Sequence, residues 1–178
     1  MSLYEKIVTF VDATFGGKKP HFERTVFWIE KFLPTATEAH RIAAYAHDIE
    51  RGVNGEKDRD YLNPEFIRKH EEEGARITGE FMTAKGADPI AVGLVKRLTS
   101  RHEEGGDDEQ NALMDADSVS YFETNAQMFV RDRVKEDGYA KVKGKLDWMF
   151  NRISTQERKA YARANYEKWS KELEKLNQ

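Results

Sequence analysis

A chain of 178 residues, 39% hydrophobic and 34% charged, is long enough to bury a core without covalent staples and carries a heavily charged surface. Its net charge of -3 leaves no global basic footprint, so no nucleic-acid polymer is expected as a partner. The lack of cysteine excludes disulfides, thiolate metal sites and a cysteine nucleophile, so any metal must be held by histidine and carboxylate.

The elements read as one helix after another. Ser2 with Glu5 forms a capping box ahead of Leu3, Ile7, Phe10 and Val11, and Gly16-Gly17 stops that helix. Pro20 opens a second, striped by Phe22, Val26, Ile29 and Leu33 and closed by Pro34. Thr35 with Glu38 reads as another capping box, starting a third helix through Ile42, Ala43, Ala46 and Ile49 to Arg51-Gly52. From Gly52 to Asn63 the chain is polar and aperiodic, a connection of the length that often carries function. Asn63-Pro64 and Asp88-Pro89 each pair an N-cap with proline at the first helical position. The first of these helices runs to about Thr83 before Gly86, and the second carries Ile90, Leu94, Val95 and Leu98.

An acidic loop, HEEGGDDEQ, precedes a helix from near Asp108 through Leu113, Ala116, Val119, Ser120 and Phe122. Asp137-Gly138 is a turn, Tyr139 to Ile153 is helical, and Ser154 with Glu157 caps a last helix ending near Leu176. No segment alternates as a strand and no repeat occurs. The expectation is all-α: a single-domain helical bundle over 1–178, with a motif-bearing core from about 18 to 135 and C-terminal helices from about 139 to 176. No apolar run approaches the roughly 20 residues of a membrane helix. Glu5 and Lys6 interrupt the apolar stretch a signal peptide would need. The expected location is the cytoplasm, without a membrane partner.

Chemistry concentrates around the histidines. The chain has five: His21, His40, His47, His70 and His102. His47 and Asp48 are adjacent among Ala43, Ala44, Ala46 and Ile49. Neighbouring side chains diverge by about 100° on a helix, yet both reach an ion lying in the groove between them. A carboxylate in such apolar company needs a compensating partner, and a cation supplies one. In LMDADSVSYFE, Asp117 is preferred to Asp115 because Leu113 and Ser120 share its face and its small neighbours Ala116 and Ser118 let another element approach. His40 reads as an exposed helix residue, and Trp28, Trp148 and Trp169 as packing residues.

HFERTVFWIEKF, AYAHDIERG and the segment ADSV resemble the HD-domain superfamily of metal-dependent phosphohydrolases, with its order His, His-Asp, Asp on a helical bundle. The resemblance spans roughly His21 to Glu123. Two-metal members add a histidine after the pair and another before the final aspartate, and His70 and His102 stand there. The resemblance implies one ion on His21, His47, Asp48 and Asp117, with Asp48 bridging to a second on His70 and His102. It implies one or two divalent ions, with iron, manganese, cobalt and zinc undistinguished by such ligands.

A metal-dependent phosphohydrolase acting on a small phosphorylated compound, a nucleotide among the candidates, is therefore expected. A metal makes hydroxide available near neutral pH, and basic side chains neutralise phosphate. The basic candidates are Lys18, Lys19, Arg24, Arg51 and Arg101, with Arg24 and Arg101 preferred because each lies within one turn of a proposed ligand. Some relatives carry a glutamate four positions after the paired histidine; here that position is Arg51, so their proton-transfer partner does not carry over. The rival readings are a di-iron oxygenase with the same ligand order and a metal-containing binding or sensor domain without turnover.

Overall fold

The computed structural model describes residues 1–55, 60 and 62–177. Every regular element among them is helical. These are α1 (Leu3–Thr14), α2 (Pro20–Phe32), α3 (Glu38–Ala46), α4 (Ile49–Asn54), α5 (Pro64–Ala84), α6 (Pro89–Thr99) and α7 (Asp108–Thr124). Then come α8 (Ala126–Met128), a π-helical turn (Phe129–Arg133), α9 (Val134–Asp137), α10 (Tyr139–Asn151) and α11 (Gln156–Leu176). None is long and apolar enough to cross a membrane.

Local chemistry accounts for most of the boundaries. Ser2 and Glu5 close their capping box, and Asn63 and Asp88 accept from the backbone N–H groups of Glu65 and Ile90. Two caps differ from expectation. Thr37, not Thr35, caps α3, and the box is closed by the ring of His40 rather than by Glu38. Thr155, not Ser154, caps α11 by accepting from Arg158 N. Ser154 is drawn away because its N–H and hydroxyl both donate to buried Asp115, at 2.7 and 2.6 Å.

The expected third helix is two. It breaks at His47-Asp48, where Asp48 leaves helical geometry (φ -94°, ψ 11°), and resumes as α4. Part of the anticipated 52–63 loop is thus helical, and its residues 56–59 and 61 lie outside the described ones.

Helix α7 is the axis of the bundle. It is buried continuously from Ala112 to Phe122, with α2 against one side, α10 and α11 against another, and α3 and α6 also in contact. Leu113, Val119 and Phe122 meet Ile29 of α2, Ile42 of α3, Leu98 of α6, Leu146 of α10 and Leu173 of α11 in one apolar cluster. A helix buried all round must find partners for its polar residues, and α7 carries four: Asp115, Asp117, Ser118 and Ser120. Asp115 is satisfied by Ser154 and Arg158. The other three build the site. Helix α5 reaches the site through Gly74, where a Cβ would stand 3.2 Å from His47 O.

Candidate metal centre

His21 on α2, His47 and Asp48 at the α3–α4 break, His70 on α5, His102 after α6 and Asp117 on α7 converge on one centre, and His21, Asp48 and Asp117 also line a cavity above it. Their separations define two groups. His21 Nε2 lies 3.3 Å from His47 Nε2 and 3.0 Å from Asp117 Oδ1. His47 Nε2 lies 3.5 Å from Asp117 Oδ1 and 3.7 Å from Asp48 Oδ2. Across the centre, Asp48 Oδ1 lies 3.1 Å from His70 Nε2 and 4.0 Å from His102 Nε2.

The hydrogen bonds on the far side of each ring decide what these nitrogens are. The Nδ1 atoms of His47 and His102 face the carbonyls of Ala44 and Thr99 at 2.9 and 2.7 Å, and a carbonyl only accepts. His70 Nδ1 faces Glu50 Oε2 at 2.9 Å. His21 Nδ1 faces Ser120 Oγ at 2.9 Å, and that hydroxyl already donates to Asp117 O. Every Nδ1 of these four is therefore an N–H donor, and every Nε2 is the nitrogen turned into the centre, where it takes up a proton or a metal. His40 has the opposite tautomer: its Nδ1 accepts from Thr37 N–H at 3.1 Å and its Nε2 faces Glu109 at 3.2 Å. It is buried, not exposed, because its ring closes the cap of α3.

Buried lone pairs aimed at one another and at carboxylates require a positive charge between them. The spacing fits a metal ion. Ligand distances of roughly 2.1 Å put neighbouring donors about 3.0–3.4 Å apart for octahedral to tetrahedral geometry, close to the 3.0, 3.3 and 3.5 Å found among His21, His47 and Asp117. Fully buried His102 supplies the clearest sign, since its Nε2 makes no hydrogen bond. Burial, with His47 and His70 nearby, lowers its pKa to about 4 against the pull of Glu103, so it sits as a neutral imidazole ready to ligate. Fixing the tautomer through the outer nitrogen is also how proteins orient metal-binding histidine. These buried groups are positioned to hold a metal ion.

Both aspartates of the centre are ionised. Burial opposes this, but Arg51, His47 and His70 hold Asp48 well below the usual carboxylate range. Arg152 and His47 do the same for Asp117. Burial would lower His47, yet Asp48 and Asp117 push it up to about 9 in the metal-free chain.

The preferred basic residues lie elsewhere. Arg24 pairs with Glu123 at 2.6 Å, and Arg101 with Glu104 at 2.7 Å and Gly105 O at 2.9 Å. Neither lines the cavity of about 350 Å³ above the centre, because a local acceptor claims each one. Lys18 is likewise taken by Glu23, at 3.8 Å. Lys19 and Arg51 do line the cavity, as do Lys145, Phe15, Phe22, Tyr121 and Phe129.

Three contributors escaped the sequence reading. Lys145 sits on the apolar face of α10 between Val142 and Met149, and that misplaced charge was a readable signal. Glu103 follows His102 directly, inside the stretch read only as an acidic loop. Arg152 gave no local cue. Its side chain is largely buried behind the centre, donates to Asp117 and Glu103, and reaches Ser118 Oγ at 2.8 Å.

A family model described as "Domain of unknown function (DUF4202)" matches residues 17–176. No curated protein and no solved structure matches the chain.

Proposed function

We propose that this chain, which belongs to the DUF4202 family, is a metal-dependent phosphohydrolase of the HD-domain kind acting on a small phosphorylated substrate. The observation that carries the reading is the meeting, in one cavity, of His21, Asp48 and Asp117 from the inward-facing ligand set with Lys19, Arg51 and Lys145. A cation site beside three basic side chains is what a phosphoryl group demands. The volume of about 350 Å³ lies near the small end of ligand pockets, roughly 300–1,000 Å³, which favours a metabolite. The aromatic walls suit its organic part, a nucleoside among the candidates.

The protein's residues divide the labour. His21, His47, Asp48 and Asp117 would hold one ion, and His70 and His102, with Asp48 shared, a second. Metal bound there lowers the pKa of water toward neutrality and polarises a phosphoryl oxygen. Arg51, held at 2.8 Å by Asp48, sets a guanidinium beside the phosphate position, and Lys145 and Lys19 add charge. Burial, aided by Arg152 and Arg51 against Glu103, draws Lys145 down to about 8. That value suits a donor of a proton to the leaving oxygen. Phe15, Phe22 and Phe129 exclude bulk water.

Elemental analysis of the purified protein, followed by phosphate release from a panel of phosphorylated metabolites with the metal found, tests the reading. Bound transition metal and release of inorganic phosphate, lost in Asp48→Asn, are expected. Oxygen consumption by iron-loaded protein without phosphate release would overturn the hydrolase assignment in favour of an oxygenase. Metal-loaded protein that retains a ligand unchanged would overturn it in favour of a sensor.

A further inference from the structure

Arg152 joins two carboxylates at the back of the centre. Its two terminal nitrogens donate to Asp117 Oδ2 and Glu103 Oε2. The outer oxygen of each carboxylate is thereby committed, and the inner oxygen is turned toward a pair of imidazoles. Asp117 Oδ1 faces His21 and His47. Glu103 Oε1 lies 3.9 Å from His102 Nε2. Asp48, His70, His102 and Glu103 each offer a donor atom, all within 4.8 Å of one another. Between the pairs, Asp48 turns Oδ2 to His47 and Oδ1 to His70.

From this duplication we infer that Glu103 is a metal ligand, completing a second divalent-cation subsite with His70, His102 and Asp48 as Asp117 completes the first. The inference rests on the metal reading above and adds a ligand to it. The independent sign is fully buried His102 Nε2, which faces the subsite without a hydrogen bond. What a cation would displace at Glu103 Oε1 is one hydrogen bond from Arg51 Nη2 at 3.3 Å, long for a charge-assisted contact. The outer contact to Arg152 persists and orients the ligand, as outer partners of ligating carboxylates do. Two carboxylates, one shared, then offset the charge of the second ion, where Asp48 alone would leave it underbalanced.

Titration of the whole chain with Mn²⁺, read by calorimetry and by metal content after gel filtration, tests this. Wild-type protein is expected to bind two ions per chain. Glu103→Gln keeps an acceptor for Arg152 but loses the charge. It is expected to keep the first ion and weaken the second by on the order of 100-fold or more, since even outer partners are worth 10–100-fold. If E103Q does not fold, Glu103→Asp keeps the charge and withdraws the oxygen by one methylene, and the same weakening is expected. Two ions bound with unchanged affinity in either folded variant overturn the assignment of Glu103 while leaving the metal reading intact. A wild-type chain that binds one ion overturns it as well, and one that binds none overturns both.

Discussion

Raising the pH from about 7 to about 9 should tighten binding of the first metal ion about 50-fold, half of the full effect of about 100-fold, because His47 must shed a proton before it can ligate. Burial alone would lower the pKa of this ring. Asp48 and Asp117 outweigh burial and hold it at about 9 in the metal-free chain. Two units below that value only about 1% of the rings are unprotonated, which reduces apparent affinity by the same factor, about 2.7 kcal/mol. His102, lowered to about 4, is already neutral and adds no slope.

The folding stability of the metal-free chain has the opposite sign. The contribution from protonated His47 is fully present below the ordinary value of 6.5 and is lost as pH rises through about 9. Calorimetric titration with Mn²⁺ in buffers of different ionisation enthalpy reads both the affinity and the protons released. The expectation is about one proton per first ion at pH 7 and a tenfold gain per pH unit that levels off near 9. Flat affinity with no proton release would refute the arrangement of His47 between two ionised carboxylates.

Three further outcomes follow from the same geometry. Asp115→Ala should cost about 3–5 kcal/mol, read as a lowered Tm, by leaving Arg158 and Ser154 without their buried acceptor, with metal content unchanged; Asp117→Asn should instead lose metal. Once a phosphorylated substrate is found, Arg51→Ala or Lys145→Ala should lower kcat/KM by roughly 10–100-fold, the worth of a charge-assisted hydrogen bond. Arg24→Ala and Arg101→Ala should change it by less than about threefold, since their exposed pairs contribute little. Chelation should lower Tm in wild type but not in Asp117→Asn, with a loss of about 4 kcal/mol where free metal had stood at a thousandfold its Kd.

The helices were legible because their signals are local. A cap at Ser2, proline after Asn63 and Asp88, and apolar spacing through α2 act within one or two turns of chain. Errors arose where a tertiary partner outbid the local one. Ser154 had a suitable glutamate three residues on, but Asp115 offered a buried carboxylate and Thr155 took the cap. The third helix had unbroken helical spacing, and the break at His47-Asp48 follows only from the need of both side chains to face one centre. Arg24 and Arg101 were close to ligands along the chain but closer in space to Glu123 and Glu104. Arg152, which is close to nothing relevant in sequence, is bonded to two acids of the centre.

The same distinction separates the histidines. Residue type and order picked out His21, His47, His70 and His102 but misjudged His40 as exposed. All five are buried, so burial does not sort them. What sorts them is which nitrogen is occupied. A backbone N–H reaches Nδ1 of His40 and turns its other nitrogen into a donor for Glu109. Carbonyls, a carboxylate and a committed hydroxyl reach Nδ1 of the other four and leave each Nε2 facing the centre, able to accept a proton or a metal. Four acceptors sharing a centre with ionised carboxylates cannot satisfy one another by hydrogen bonding. Either protons or metal must lie between them, and His102, whose burial keeps protons off near neutral pH, favours metal.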